Sequence, residues 1–164
     1  MRKILIGLVF LYANLMSINA QEKTFSEKAL QDKLVNLKGG EDTFEDVLEA
    51  FKGKVVLIDI WASWCKDCVV GMPTVKKLKN DFKEVSFLYI SLDRTKESWK
   101  KGIKKFGIED GTHYWASKGW KSDLFTAIDL DWIPRYMVID KDGTIKLYKA
   151  IKAGDKEIIK QLTK

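Results

Sequence analysis

The sequence predicts an α/β fold in which helices cover a mixed central β-sheet. An apolar run, Val55–Trp61, is typical of a strand that is buried on both faces. A helical pattern and a second apolar run, Val85–Ser91, follow it, and this strand–helix–strand order implies a parallel crossover. Near the C-terminus, the turn at 141–143 predicts a hairpin of antiparallel strands, so the sheet contains both orientations.

Before the central strand, the sequence clearly predicts one helix but leaves the first segment undecided. Apolar residues in Gln21–Gly40 are compatible with a short strand or a short helix, and the pattern does not decide between them. Thr43 is a good N-cap, and the apolar residues after it have helical spacing up to Gly53, which ends that helix.

Two further helices follow the central strand. The first runs from about Cys65 to Lys83 and contains Pro73, which should kink it. The second has an apolar face that includes Trp99 and Ile103, and its other side is rich in lysine. The next stretch, Gly107–Asp131, is the least regular part of the chain.

The C-terminal elements are a hairpin and a helix. The hairpin joins a strand at Arg135–Asp140 to an antiparallel partner at Thr144–Ile151. Gly154-Asp155 caps the final helix, and three of its residues are predicted to face inward: Ile158, Ile159 and Leu162.

The chain's two cysteines, Cys65 and Cys68, lie where the central strand gives way to a helix. A helix N-terminus carries unpaired N–H groups and partial positive charge, so it stabilises a thiolate, the reactive form of cysteine. Residues three apart lie on one face of a helix, which lets the two sulfurs form a disulfide. We therefore expect Cys65 to attack a substrate disulfide and Cys68 to resolve the mixed disulfide.

Other interpretations of the cysteine pair remain open. A structural disulfide closing so short a loop would add little stability. A structural zinc site needs four ligands, and the chain offers only His113 beyond the two cysteines. A third alternative is that the two cysteines are core residues with no relation to each other.

Asp59 interrupts the apolar central strand six residues before Cys65. Burial of an unpaired carboxylate is unfavourable and raises its pKa, so Asp59 is a candidate acceptor for the Cys68 proton. Alternatively, Asp59 points outward or pairs with a lysine such as Lys54.

These residues resemble the W-A-x-W-C-x-x-C signature of the thioredoxin superfamily, which is matched by Trp61-Ala62-Ser63-Trp64-Cys65-Lys66-Asp67-Cys68. Asp59 matches the family's buried aspartate, Pro73 its helix-kinking proline, and Ile133-Pro134 its cis-proline. Residues 40 to 164 are similar in particular to the TlpA/ResA group of exported thiol-disulfide oxidoreductases.

The resemblance implies a thioredoxin-like fold and a disulfide reductase of envelope proteins. The backbone of Ile133, beside Pro134, would pair with an extended substrate, and Trp64 would shield the sulfurs and help to form the docking surface. The dipeptide Lys66-Asp67 replaces thioredoxin's Gly-Pro, so the redox potential cannot be transferred. The dithiol carries both electrons, which requires no bound cofactor or metal.

Residues 1–20 have the pattern of a signal peptide, which leaves 21–164 as the domain. A basic start precedes an apolar run, Ile4–Met16, and Ala20 offers a small residue for cleavage. This apolar run is shorter than the ~20 residues of a spanning helix, although an uncleaved anchor is the alternative. We expect an exported, periplasmic or envelope protein that requires a membrane electron donor when it acts as a reductant.

The net charge of +6 does not indicate nucleic-acid binding, because the lysines are spread along helix faces. We expect a monomer that acts on protein thiols and disulfides. The aromatic-rich residues 113–125 line a substrate groove or simply fill the core.

Alternative functions use the same cysteine pair. A thiol peroxidase is disfavoured because its Thr-x-x-Cys is replaced by Ala62-Ser63-Trp64 before Cys65. A copper or haem-assembly module would use the thiolates as soft ligands, which suit Cu(I). A non-catalytic interaction module would not need two intact cysteines.

Overall fold

The computed structural model describes residues 24–163 and confirms the α/β fold with a mixed sheet. The described strands are β1 Lys33–Asn36, β2 Glu41–Thr43, β3 Val56–Trp61, β4 Ser86–Ser91, β5 Thr112–Trp115, β6 Arg135–Ile139 and β7 Ile145–Ala150. The described α-helices are α1 Glu27–Leu30, α2 Phe44–Glu49, α3 Lys66–Asp81, α4 Lys96–Phe106, α5 Asp123–Ala127 and α6 Lys156–Leu162. A 3-10 turn, Gly119–Lys121, precedes α5.

The seven strands lie in the order β2-β1-β5-β4-β3-β6-β7. β3 is parallel to β4, and β4 is parallel to β5, whereas β6 and β7 are antiparallel to their neighbours. The central strand β3 is buried at all six positions, as its apolar sequence predicts.

Helices cover both faces of β3. Leu57, Asp59 and Trp61 alternate with the other residues of the strand and therefore share one face. On this face Trp61 packs edge-on against Phe106 of α4, with ring centroids 6.0 Å apart. On the opposite face, Val56 lines a cavity together with Leu48 of α2.

Three parts of the chain differ from the sequence prediction. The N-terminal segment holds both a helix and a strand, α1 and β1, and β1 pairs with the unpredicted β2. The irregular stretch contains β5, because Thr112–Trp115 completes the parallel part of the sheet beside β4. Ile159 is exposed and the inward prediction for it is wrong, whereas Ile158 and Leu162 are buried as predicted.

Other elements agree closely with the sequence. Thr43 caps α2 through a capping box, and Asp155 caps α6. Among the described residues, no helix is long and apolar enough to cross a membrane. The predicted signal peptide, residues 1–20, lies outside the described residues.

Candidate active site

The two cysteines occupy the start of α3 and form a disulfide. Cys65 is the N-cap residue, and its Sγ accepts a hydrogen bond from the Cys68 backbone N–H at 3.1 Å. A reduced Cys65 in this position has an N–H donor and the positive end of the helix dipole beside its sulfur, and both stabilise a thiolate.

Only one of the cysteines faces a groove. Cys65 is 6% exposed and lines a cavity of about 340 Å³, whereas Cys68 is 1% exposed and does not line it. Three tryptophans, each about half exposed, line the same cavity: Trp64, Trp120 and Trp132. An apolar surface of this kind is typical of an interaction site. We call this cavity the tryptophan groove.

Ile133 lines the tryptophan groove, and its bond to Pro134 is cis, as the resemblance implies. The carbonyl oxygen of Ile133 lies 3.5 Å from the Cys65 Sγ. The backbone of Ile133 therefore lies directly beside the Cys65 sulfur.

Arg135, the residue after the cis-proline, holds this loop in place. Its guanidinium is completely buried and donates hydrogen bonds to the carbonyl oxygens of Ile128 and Asp129. It also pairs with the Asp131 carboxylate at 2.6 Å. Hydrogen bonds of Asp131 to Lys149 and Arg135 outweigh its desolvation and lower its pKa to about 2, so this carboxylate stays ionised.

A buried carboxylate braces the turn before Cys65. Asp93 accepts hydrogen bonds from the backbone N–H of Ser63, at 3.1 Å, and from its hydroxyl, at 2.6 Å. The hydroxyl of Ser91 donates to the same carboxylate at 2.9 Å. These bonds tie the turn of the signature to the end of β4.

The side chain of Asp59 is buried, and no described residue forms a hydrogen bond with it. It is 1% exposed, and neither carboxyl oxygen has a hydrogen-bond partner among the described residues. The alternatives of an outward-pointing Asp59 or a pair with Lys54 are therefore wrong. Desolvation raises the pKa of Asp59 to about 8, so the group exchanges protons near neutral pH.

Some of the remaining predicted site residues line the tryptophan groove, and others are buried away from it. Lys66 and Asp67 are exposed and line the tryptophan groove next to Cys65. Of the aromatic-rich segment 113–125, His113 and Phe125 are buried, whereas Trp120 reaches the groove. Both interpretations of that segment are thus partly correct.

Some residues at the site were not singled out from the sequence. Trp132 had no assigned role, although it directly precedes Ile133-Pro134, whereas Trp120 was included within the aromatic-rich segment 113–125. Asp93 forms a hydrogen bond with Ser63, thirty residues away in sequence, and Arg135 is a buried cation. No local sequence pattern predicts either arrangement.

A family model described as thioredoxin-like matches residues 53–145, more than half of the chain. The chain belongs to the thioredoxin-like family. This match includes the signature, Asp59 and the cis-proline, so the resemblance read from the sequence is confirmed at the level of the family.

Relatives and solved structures agree with this assignment. The thiol-disulfide oxidoreductase ResA of Bacillus thuringiensis subsp. konkukian is 26% identical over 132 residues, which cover 79% of this chain and 68% of that protein. ResA of Geobacillus kaustophilus is 28% identical over 115 residues, covering 69% and 62%.

Among solved structures, the thioredoxin domain of a thiol-disulfide oxidoreductase from Bacteroides vulgatus is 25% identical, with a TM-score of 0.66 and coverage of 80% and 89%. A thiol-disulfide oxidoreductase from Bacteroides fragilis shares the fold, with a TM-score of 0.69 at 23% identity over 82% of this chain and 97% of that one.

Proposed function

We propose that the protein reduces disulfides in client proteins through the Cys65–Cys68 dithiol. The observation that carries this proposal is the position of Cys65, which caps α3, forms a disulfide with Cys68 and is the cysteine that lines the tryptophan groove. That arrangement gives one cysteine the properties of an attacking thiolate and the other those of a buried resolving thiol.

The reaction follows from these roles. The Cys65 thiolate attacks a client disulfide, which breaks that bond, forms a mixed disulfide and releases the first client thiolate. Cys68 then loses its proton to the Asp59 carboxylate and attacks Cys65, and the second client thiolate leaves. Two electrons pass to the client, and the protein ends as the disulfide that the structure contains.

The tryptophan groove suits an extended, apolar client segment. Its aromatic surfaces lie around Cys65, and the Ile133 carbonyl offers a backbone acceptor beside the sulfur. We therefore propose Trp120 and Trp132, in addition to Trp64, Ile133 and Pro134, as client-binding residues. Lys66 and Asp67, which line the same groove, tune the reduction potential of the cysteine pair.

The direction of electron flow and the location follow from the resemblance to the TlpA/ResA group. The protein acts in the cell envelope after export, and a membrane donor returns electrons to its disulfide. An envelope is an oxidising compartment, so a reductant there depends on such a supply.

The test is the reduction potential of the mature protein. Residues 21–164 are equilibrated in graded thiol/disulfide buffers, and free thiols are trapped and counted, with Cys68→Ser as the control that forms no internal disulfide. We expect one reversible two-electron transition near thioredoxin's value, about −270 mV. A value of about −120 mV, typical of a strong oxidant, would reverse the proposed direction of electron flow. The absence of any transition would contradict the proposed function itself.

A further inference from the structure

One side chain of the tryptophan groove comes from a connecting turn rather than from a strand or an α-helix. Trp120 is the middle residue of the 3-10 turn Gly119–Lys121, which lies between β5 and α5. Its side chain is about half exposed and lines the groove together with Cys65. Connecting segments are mobile unless other residues hold them, so the contacts that hold this turn also determine the shape of the groove.

A single carboxylate binds both flanks of this turn. Lys118, directly before the turn, donates a hydrogen bond from its Nζ to one carboxylate oxygen of Asp32 at 2.7 Å. The hydroxyl of Ser122, directly after the turn, donates to the other oxygen. The backbone N–H of Leu124 donates to that same oxygen at 3.1 Å. Trp120 therefore lies in a short loop whose two ends meet at Asp32.

The register of the sheet places Asp32 at this turn. β1 pairs antiparallel with β5, with Val35 opposite Trp115, so the residues before β1 face the chain as it leaves β5. Asp32 directly precedes β1, and its backbone carbonyl accepts a hydrogen bond from the Phe44 N–H at 2.8 Å. Its side chain is almost completely buried, and its hydrogen bond from the Lys118 ammonium is charge-assisted and therefore strong. Asp32 is thus a fixed anchor for the turn.

Two further ion pairs join the same regions of the chain. Lys28 of α1 pairs with Asp123, the first residue of α5, at 2.9 Å, and Lys118 approaches Asp123 at 3.4 Å. These three side chains are much more exposed than Asp32, so each pair contributes little by itself. The buried carboxylate is therefore the main electrostatic link between the N-terminal segment and the turn.

We propose that Asp32 is a positioning residue that sets the affinity for clients by holding Trp120 in the tryptophan groove. The inference rests on the proposed function, in which this groove binds an apolar segment of the client. Asp32 accepts hydrogen bonds on both of its carboxylate oxygens. An asparagine cannot replace it, because an amide has one acceptor oxygen and a nitrogen that only donates. Loss of either set of bonds should weaken client docking and leave the thiol chemistry unchanged.

The test separates docking from chemistry. Reduced protein is mixed with an excess of a peptide disulfide that has apolar residues on both sides of its cysteine. The rate of reduction is then measured as a function of peptide concentration. Asp32→Asn should raise the half-saturating concentration about threefold and leave the limiting rate within about 1.5-fold of the wild-type value. Partial unfolding would lower the amplitude of the reaction instead, so a merely structural role gives a different result.

Asp42→Asn is the matched control. Asp42 of β2 also joins the N-terminal segment to the sheet, because it accepts hydrogen bonds from the Asn36 side chain and the Tyr114 hydroxyl, both at 2.9 Å. Neither of these partners belongs to the turn that carries Trp120. Asp42→Asn should therefore leave the half-saturating concentration within about 1.5-fold of the wild-type value.

A double-mutant cycle tests whether Asp32 acts through Trp120. Trp120→Ala should raise the half-saturating concentration about fivefold. Addition of Asp32→Asn to this variant should cause no further increase, because both changes remove the same interaction with the peptide. Lys118→Met removes one donor to Asp32 and should raise the half-saturating concentration about twofold. This variant keeps the proposal testable if Asp32→Asn does not fold.

The outcomes distinguish the inference from the function on which it rests. An unchanged half-saturating concentration in Asp32→Asn and Lys118→Met would overturn the positioning role. An equal increase in Asp42→Asn, or a fully additive increase in the double variant, would overturn it as well. If Trp120→Ala binds the peptide like the wild type, the inference fails while the dithiol reaction stands. If the wild-type protein reduces no peptide disulfide, the proposed function fails and the inference fails with it.

Discussion

Asp32 and Asp59 are both aspartates in the interior, yet their surroundings are opposite. Asp32 is 2% exposed and accepts hydrogen bonds from Lys118 at 2.7 Å, from the Leu124 backbone at 3.1 Å and from the Ser122 hydroxyl. Asp59 is equally buried and receives none from the described residues.

The contrast sets the protonation state of each group. Burial alone raises the pKa of Asp32, but the hydrogen bonds from Lys118, Ser122 and Leu124 outweigh it and hold the pKa below its usual value. For Asp59 nothing opposes burial, and the pKa rises to about 8. The charged Asp32 ties α5 to the N-terminal segment, whereas no described residue holds Asp59 in its charged form.

The largest expected effect is on the rate of resolution. Asp59→Asn removes the proposed acceptor for the Cys68 proton and should slow the attack of Cys68 on the mixed disulfide about 100-fold at pH 8, a typical general-base contribution. Asp32→Asn should leave that rate within about twofold of the wild-type value. Similar slowing in both variants, measured by stopped-flow, would break the distinction between the two carboxyls.

The next effect is on stability, and here the Asp32 variant should be affected more than the Asp59 variant. Asp32→Ala leaves the Ser122 hydroxyl and the Leu124 N–H without their acceptor, and it should lower the free energy of unfolding by about 2 kcal/mol. Asp59→Asn should not lower it at pH 8, because it replaces an unpaired buried acid. Urea unfolding of the oxidised proteins measures both, and a larger loss in Asp59→Asn would contradict the assignment.

The pH dependence of stability sharpens the comparison further. Between about pH 4 and pH 8 the native state retains an Asp59 proton that the unfolded chain has released. The free energy of unfolding should therefore fall as pH rises through this window, by at most about 1.4 kcal/mol per pH unit. Asp59→Asn should remove this decline.

Asp32 contributes with the opposite sign. Its folded pKa lies below the unfolded value of 3.8, so its stabilisation is present above that pH and is lost as the pH falls through the folded pKa. Asp32→Asn should therefore lose stability near neutral pH, and the loss should disappear once the pH lies below the folded pKa of Asp32. A decline in stability between pH 4 and 8 that is no larger in the wild type than in Asp59→Asn would contradict the account of Asp59.

The smallest expected effect separates docking from proton transfer. Trp132→Ala should raise the KM for an apolar disulfide peptide about fivefold, which corresponds to about 1 kcal/mol of lost contact, and leave the resolving rate unchanged. Leu37→Ala removes an exposed apolar side chain that does not line the tryptophan groove and serves as the control. Equal KM values for the two variants would remove Trp132 from the docking surface.

The local patterns of the chain predicted much of this arrangement. The position of Cys65 at the start of a helix, the capping role of Thr43 and the burial of β3 follow from hydrophobic period and capping chemistry. β5 was not predicted, because Thr112–Trp115 is only four residues long and has no apolar–polar alternation that would separate a strand from an aromatic loop.

The sequence could not predict the neighbours of the two buried aspartates, for a related reason. Tyr89, Asp59 and Tyr136 become neighbours only through the register of three strands, and a shift by one residue would turn Tyr136 to the other face. The hydrogen bonds of Asp32 join residues about ninety positions apart. Sequence spacing therefore identified a costly buried Asp59 but gave no sign of the satisfied Asp32.

The measurement that tests the central claim most directly is the titration of the two carboxyls in one sample. Carbon-detected NMR of the oxidised protein labelled at aspartate follows every carboxyl, and Asp59→Asn and Asp32→Asn assign the two signals. The account predicts that the Asp59 signal titrates near pH 8. It predicts that the Asp32 signal titrates below its ordinary value of 3.8. An Asp59 signal that titrates near pH 4 would show an ordinary carboxylate and contradict its role as the buried proton acceptor.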